Sequence, residues 1–164
     1  MSGFPVIYPK LPLKGRLGTQ DRIHNLPPYT KCLLCELCLE SHEHLFFECP
    51  YSLQLWHLIS LKGGFSTPSL LWGQKINWLS SNWKGKSFRI KAKLLCLSIT
   101  VYHLWRERNN RFHSHTSSTA HDLLSSIIED VRLKLSIYRG IQDTSQNRAL
   151  QVGWRLPESI FSIV

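Results

Sequence analysis

The chain has 164 residues, of which 43% are hydrophobic, 11% aromatic and 19% charged, and its formal net charge is +9. This apolar fraction excludes a wholly disordered chain, and no apolar run is long enough to span a bilayer. The five cysteines are odd in number and clustered, and no secretion signal precedes them. An intracellular, nuclear or cytoplasmic protein is expected, with cysteines that bind metal rather than form disulfides.

The net positive charge of the chain comes entirely from its middle third. Residues 1–50 carry five Lys/Arg and five Asp/Glu, residues 114–164 carry five of each, and residues 51–113 carry ten Lys/Arg with a single acid, Glu107. A localised basic region with aromatic residues nearby is typical of a nucleic-acid-binding surface. The charge pattern leaves open the alternative of a solvated helix face without a partner.

The first residues precede a cysteine-rich segment. Residues 1–14 contain three prolines and are predicted to form an extended lead-in. Residues 14–25 are predicted to form a short helix with Thr19 as its N-cap. The helix is expected to end before Pro27 and Pro28.

The cysteine-rich segment has the spacing of a metal site. Cys32 and Cys35 form a C-x-x-C pair, eight residues separate Cys35 from His44, and four more precede Cys49. Three thiolates and an imidazole at this spacing predict a tetrahedral Zn²⁺ site. Because four protein ligands leave no position for an activated water, the predicted site is structural rather than hydrolytic.

Alternatives to this ligand set remain open. Cys38 is positioned to replace Cys35 or to be a spare thiol, whereas His42 is expected to face solvent. The cysteines would otherwise be reduced side chains packed in a small core. A redox C-x-x-C is less favoured, because no βαβ pattern surrounds it.

Apolar residues at helical spacing predict four helices after the metal segment. The first follows Pro50, with Ser52 as its N-cap, and stops at Gly63-Gly64. The second covers residues 70–79, and a polar connection leads from it to the two long helices of the prediction.

The long helices are predicted at residues 87–112 and 121–138, separated by a Ser/Thr-rich hinge. The apolar stripe of the first consists of Ile90, Leu94, Leu97, Val101, Leu104, Trp105 and Phe112. Gly140 is predicted to be the C-cap of the second. Residues 141–164 are predicted to be mostly loop, with Trp154 and the SIFSIV ending docked as a tail.

Two groups of basic residues are candidates for phosphate contact. The denser group, with Trp83 and Phe88 interleaved for base stacking, consists of Lys84, Lys86, Arg89, Lys91 and Lys93. The second group consists of Arg106, Arg108 and Arg111. The alternatives are a solvated helix start for the first group and inter-helix bonds for the second. Glu107 is placed to pair with Arg111 at i+4.

No enzymatic arrangement is predicted. No acid or orienting group is placed beside a nucleophile, and there is no glycine-rich phosphate loop. The chain is therefore expected to be a non-enzyme without a small-molecule substrate.

The metal segment also carries a family pattern. Residues 32–56, CLLCELCLESHEHLFFECPYSLQLW, resemble the zinc-binding domain that follows the reverse transcriptase in plant non-LTR (LINE-type) retrotransposons. The matching positions are Glu40, Glu43, His44, Leu45, Phe46, Phe47, Cys49, Pro50, Ser52 and Trp56. Upstream, GRLGTQDRIHN (residues 15–25) resembles the lead-in of the same family, and LWRERNNRFH (residues 104–113) resembles one of its helices.

The resemblance implies a zinc module with a helical extension that binds RNA or single-stranded DNA with little sequence specificity. The chain departs from the family at Cys38, which occupies a spacer position. It also lacks Y-x-D-D-type catalytic aspartates and an endonuclease constellation. Reverse transcription is therefore not implied for this chain, which is expected to be a truncated or domesticated remnant without the polymerase.

The predicted fold is mostly α, with a small CCHC zinc module followed by a helical segment with two long C-terminal helices. The predicted segments are an extended lead-in (1–14), the zinc-binding module (15–62), a helical extension (63–140) and a C-terminal tail (141–164). The favoured function is nucleic-acid binding. The alternatives are a protein-interaction module in which zinc only stabilises the fold, and a relic without present function.

Overall fold

A computed structural model describes residues 31–66, 68 and 72–162. The described chain is mostly helical, as predicted. Its helices are α1 (Pro50–Gly63), α2 (Trp72–Asn82), α3 (Phe88–His113), α4 (Ala120–Ser136) and α5 (Ser145–Trp154). A π-helical turn, His44–Glu48, precedes α1, and a 3-10 turn, Glu158–Phe161, follows α5. The predicted lead-in and the helix at residues 14–25 lie outside the described residues.

The two long helices begin at side-chain caps. Ser87 caps α3, since its hydroxyl accepts the backbone N–H of Ile90, and Thr119 caps α4 by accepting that of Asp122. The predicted bounds of α3 differ by one residue at each end from those observed. In α4 the buried side chains are Ala120, Leu123, Ile127, Val131 and Leu135. This spacing by three or four residues lets α4 pack lengthwise against α3.

The predicted apolar stripe of α3 is partly wrong. Val101 and Leu104 are buried, but Phe112 is 39% exposed. The buried face consists of Phe88, Ala92, Cys96, Thr100, Val101, His103, Leu104 and Glu107. This face packs against α4, α1 and the metal segment. Its polar members meet partners there: the ring of His103, for example, lies 2.8 Å from a carboxylate oxygen of Asp130 in α4.

Helix α1 begins earlier than predicted. Its N-cap is Cys49 and Pro50 occupies a first-turn position, where the missing N–H has no partner to lose. Ser52 is fully buried, and its hydroxyl donates a hydrogen bond to the carbonyl of Leu45 at 2.5 Å instead of capping the helix. The predicted end is confirmed, because Gly64 is in the left-handed region at φ 62° and terminates the helix.

The C-terminal segment is more ordered than predicted. Instead of a loop, it contains α5, which Thr144 caps by accepting the N–H of Asn147. The docking of the tail is confirmed, since Trp154 is 1% exposed and Ile160 is fully buried. Gly140 does not cap α4; at φ 64° it turns the chain so that its N–H donates to the carbonyl of Ser162.

One cluster of buried apolar side chains runs from Cys32 to Ile160. It joins the metal segment, the long helices and the C-terminal tail, and so crosses the predicted boundaries at residues 62/63 and 140/141. The segment limits themselves stay a prediction, because a shared core does not define where domains begin and end. No helix in the described ranges is both long and apolar enough to cross a membrane.

Candidate metal centre and basic surface

The four predicted ligands converge. One ligand atom from each of Cys32, Cys35, His44 and Cys49 can be chosen so that all four lie within 4.8 Å of one another. The two fully buried thiols, Cys32 and Cys49, are 3.9 Å apart at Sγ, and Cys35 Sγ lies 3.2 Å from His44 Nε2. Within the described residues no other group of three or more such side chains has this arrangement. These four residues form a metal-binding site.

The first two ligands lie on a tight loop, residues 31–39, which we call the metal loop. Its ends are joined by a bridge between Lys31 and Leu39 and by the Cys32 N–H, which donates to the Cys38 carbonyl at 2.8 Å. Glu36, directly after Cys35, turns the chain with φ 59°, in the left-handed region. The loop therefore presents Cys32 and Cys35 on the same side.

The last two ligands lie at the two ends of the π-helical turn. Its widened geometry is defined by the Cys49 N–H, which donates to the His44 carbonyl at 2.6 Å. This turn brings Cys49 and His44 into the same converging group of ligands. Phe46 and Phe47, between them, are 4% and 7% exposed and anchor the turn in the core.

The backbone is arranged to receive thiolates. The backbone N–H groups of Leu34 and Cys35 lower the pKa of Cys32, and those of Tyr51 and Ser52 lower that of Cys49. The pKa of Cys49 is lowered, chiefly because the Cys32 thiol donates a hydrogen bond to it, whereas that bond and burial raise the pKa of Cys32. A bound cation would displace the protons of the ligating thiols.

The two competing ligands lie apart from the centre. Cys38 and His42 are exposed and neither belongs to the converging group. Cys38 contributes its backbone carbonyl to the loop rather than its thiol. Three thiols and one imidazole fit a soft, tetrahedral cation, and four protein donors complete its coordination.

Arg111, on α3, fastens the metal loop to the long helices. Its guanidinium donates to the carbonyls of Leu33 and Leu34 at 3.0 and 3.1 Å and to that of Ser118 at 3.2 Å. Its Nε also donates to Glu107 at 2.8 Å, which confirms the predicted i+4 pair. The Glu107 side chain is 1% exposed, and it also accepts the Ser118 N–H at 2.8 Å. We call Glu107, Arg111 and their partners in the loop and hinge the latch.

Two further side chains extend this connection. Arg108 pairs with Glu40 at 2.8 Å, and the other Glu40 oxygen accepts the Leu33 N–H at 3.4 Å. The Tyr51 hydroxyl donates to the Ser118 carbonyl at 3.0 Å, and the Arg111 guanidinium lies 4.9 Å from the Tyr51 ring centre. Burial, with the nearby Glu107 charge, raises the pKa of Tyr51 to about 12, so this hydroxyl stays a donor.

The basic residues predicted to contact nucleic acid differ in their exposure and in the contacts that they already make. Lys84, Lys86 and Arg89 are exposed around the start of α3, and Arg106 is exposed further along it. Lys91 lies over the Tyr138 ring at 4.9 Å and Lys93 over Trp83 at 5.6 Å. Arg108 and Arg111 are engaged in the contacts to the metal loop.

The aromatic residues predicted to interleave with these cations face inward. Trp83 and Phe88 are each 5% exposed, and Phe88 packs edge-to-face against Tyr138 at 5.6 Å. Sequence reasoning overlooked the roles of Glu40, Tyr51 and Ser118, since each pairs with a residue far along the chain. Glu107 was the one available signal, as the single acid among residues 51–113.

The helical fold and the Cys₃His centre together define a metal-binding module. Residues 9–56 match the family model described as zinc-binding in reverse transcriptase, and all four ligands fall within this range. No curated protein and no solved structure matches the chain. The reverse-transcriptase part of the resemblance is thereby confirmed for this region, while the plant and non-LTR origin and the truncation stay predictions.

Proposed function

We propose that this chain is a non-enzymatic zinc-binding module, derived from a plant non-LTR retrotransposon polyprotein, that binds RNA or single-stranded DNA with low sequence specificity. The donor set and the family match both support zinc as the metal of Cys32, Cys35, His44 and Cys49. Its role is structural: it holds the loop and the π-helical turn together at the start of α1.

The charge of the helical region carries the nucleic-acid part of the proposal. Residues 51–106 contain eight Lys/Arg and neither Asp nor Glu. Lys84, Lys86 and Arg89 lie close in sequence and are exposed at the start of α3. A polyanion gains affinity from such a surface without base-specific hydrogen bonds, because it releases counterions on binding.

A protein-interaction module is the second candidate function. Leu37 and Leu39, on the metal loop, are 73% and 55% exposed. Two apolar side chains held outward by a rigid loop favour contact with a neighbouring protein domain.

Salt dependence tests the proposed function. The zinc-loaded protein is titrated with a labelled single-stranded 12-mer RNA between about 50 and 200 mM salt. We expect measurable binding at the lower salt that weakens as salt rises. Replacing Lys84, Lys86 and Arg89 together by Gln should reduce the slope of log K against log salt by about 2, from three lost phosphate contacts at about 0.7 each.

The matched control replaces Lys31, Arg132 and Lys134 by Gln. It removes three charges from the metal loop and from the part of α4 that follows Asp130, the partner of His103 in the middle of α3. We expect its salt slope to stay within about 0.5 of the parent protein. Absence of binding at 50 mM salt, or equal slopes for the two triple variants, would contradict the proposal.

A further inference from the structure

A groove of about 320 Å³ lies between α1, α2 and the middle of α3. Its walls include Leu53, Trp56, Leu61, Phe65, Lys75 and Trp83. We propose that this groove receives an unpaired nucleobase of the bound strand, while the exposed cations at the start of α3 contact the phosphates. The inference rests on the proposed function and assigns a place to the base.

The aromatic rings of the groove are held in fixed positions. Trp56 stacks on Phe47 with centroids 5.6 Å apart, and its indole N–H donates to the Phe46 carbonyl at 2.6 Å. Phe65 meets Trp83 edge-to-face at 5.3 Å. Any side chain at Gly63 would overlap the Phe65 ring, so the glycine lets that ring lie against the end of α1. Rings fixed in advance lose little entropy when a base stacks on them.

The rim of the groove is apolar and accessible. Leu61 is 67% exposed and Leu53 46%, both on α1, while Trp56 and Phe65 are half-buried. Two exposed leucines beside partly exposed aromatic rings form a surface that a flat apolar ligand covers well. A nucleobase is such a ligand, since every base has a stacking face.

The charge around the groove favours an anionic ligand. Lys75 lies in its wall, 5.7 Å from the Phe47 ring centre, and Lys93 lies over the Trp83 ring, 5.6 Å from its centre. Burial lowers the pKa of both lysines, and Glu48 is the acid that acts on Lys75. Because α1, α2 and the α3 segment up to Arg106 contribute no acid, a nucleotide strand complements the groove better than an apolar or basic peptide does.

A comparison of strands with and without bases tests the inference. The zinc-loaded protein is titrated with an oligo-uridine 12-mer and with an abasic 12-mer of the same phosphate count. We expect the strand with bases to bind at least about fivefold more tightly, equivalent to about 1 kcal/mol for one stacked base. Leu61→Gln and Phe65→Leu should each reduce this preference. Leu133→Gln, which changes a leucine that is 55% exposed on α4, should leave it intact.

Photo-cross-linking locates the base directly. With 5-iodouridine in the strand, we expect adducts on Trp56 or Phe65. Equal affinity for the two strands, with salt dependence retained, would contradict base binding in the groove and leave the proposed function standing. Loss of binding by both strands would overturn both proposals. Adducts confined to helices α4 and α5 would also contradict base binding in the groove. Because Leu61 is exposed, Leu61→Gln is expected to fold normally and keeps the test independent of folding.

Discussion

Cys49 acts in two structures at once. Its sulfur belongs to the metal centre and is fully buried, while its backbone is the N-cap of α1. The N–H groups of Tyr51 and Ser52, in the first turn of α1, lower the pKa of this thiol. The positive end of the helix thereby lies beside the ligand, which stabilises the thiolate. The start of α1 and the metal centre thus depend on the same side chain.

Replacing Cys49 with serine should therefore abolish metal binding. A hydroxyl is a poor ligand for a soft cation, and its proton is not displaced at neutral pH. Metal analysis of the purified protein should find about one Zn²⁺ per parent chain and less than about one tenth of that in the variant.

Cys38→Ser provides the matched control, because Cys38 lies on the same loop but is exposed and outside the converging group. It should keep its full metal content. The opposite result, with metal retained by Cys49→Ser and lost by Cys38→Ser, would require a different ligand set.

At the scale of the elements, the latch connects the metal loop with α3 and the hinge before α4. A nearly buried carboxylate, Glu107, holds Arg111, and Arg111 bonds to the loop carbonyls of Leu33 and Leu34. Arg108 and Glu40 make a second connection across the same junction. Because Arg111 binds backbone carbonyls, it fixes the position of the loop independently of the side chains that the loop carries.

Truncation of the buried acid should destabilise the protein strongly. Glu107→Ala removes the acceptor of the Arg111 Nε–H and of the Ser118 N–H, and it leaves the guanidinium charge without its carboxylate. Breaking a buried pair in this way costs about 3–5 kcal/mol of the free energy of unfolding. Urea denaturation of the zinc-loaded protein measures this change. Competition with a chelator should also show weaker zinc binding, since the loop loses its support.

An exposed pair on α4 offers the control for this variant. Glu129 bonds to Arg132 at 2.7 Å, with side chains that are 50% and 41% exposed. Glu129→Ala should lower the free energy of unfolding by no more than about 1 kcal/mol. Similar losses in the two variants would show that Glu107 is no more important than a surface acid.

On the scale of the whole molecule, the metal segment and the helices share one core. The buried cluster includes Cys32, Leu34 and Phe46 from the metal segment together with Leu104 and Ile127 from the long helices. Loss of the metal therefore exposes side chains that the helices also need. The stability of the metal centre and the stability of the long helices are therefore coupled, through packing as well as through the latch.

Removal of the metal should accordingly lower the stability of the whole described fold. With excess chelator, calorimetry should show a single transition whose Tm is lower by at least about 10 °C, since each kcal/mol shifts Tm by about 2–4 °C at this size. Restoring zinc should restore the transition. Two transitions, with the helical one unchanged by chelator, would contradict the shared core.

Short-range patterns determined much of what the sequence predicted. The spacing of Cys32, Cys35, His44 and Cys49 defined the ligand set, because two tight turns bring those donors together. The start of α3 was predicted to within one residue, where Ser87 caps the helix by a local hydrogen bond, and the end of α1 at Gly64 follows from local backbone conformation. Such features depend on residues within one or two turns of each other, so the sequence by itself contains them.

Tertiary packing decided the rest. Periodicity predicted that α3 is a helix, but packing against α4, α1 and the metal segment determined its buried face. That face includes polar residues such as His103 and Glu107, whereas Phe112 is exposed. Helix α5 was predicted to be loop because its ten residues are stabilised by the docking of Trp154 rather than by a strong local pattern. Arg111 looked like a phosphate contact from its charge, yet it binds the carbonyls of Leu33 and Leu34, 78 and 77 positions away. A charge pattern shows how many cations a segment has, whereas only the folded chain determines which of them are engaged by its own backbone.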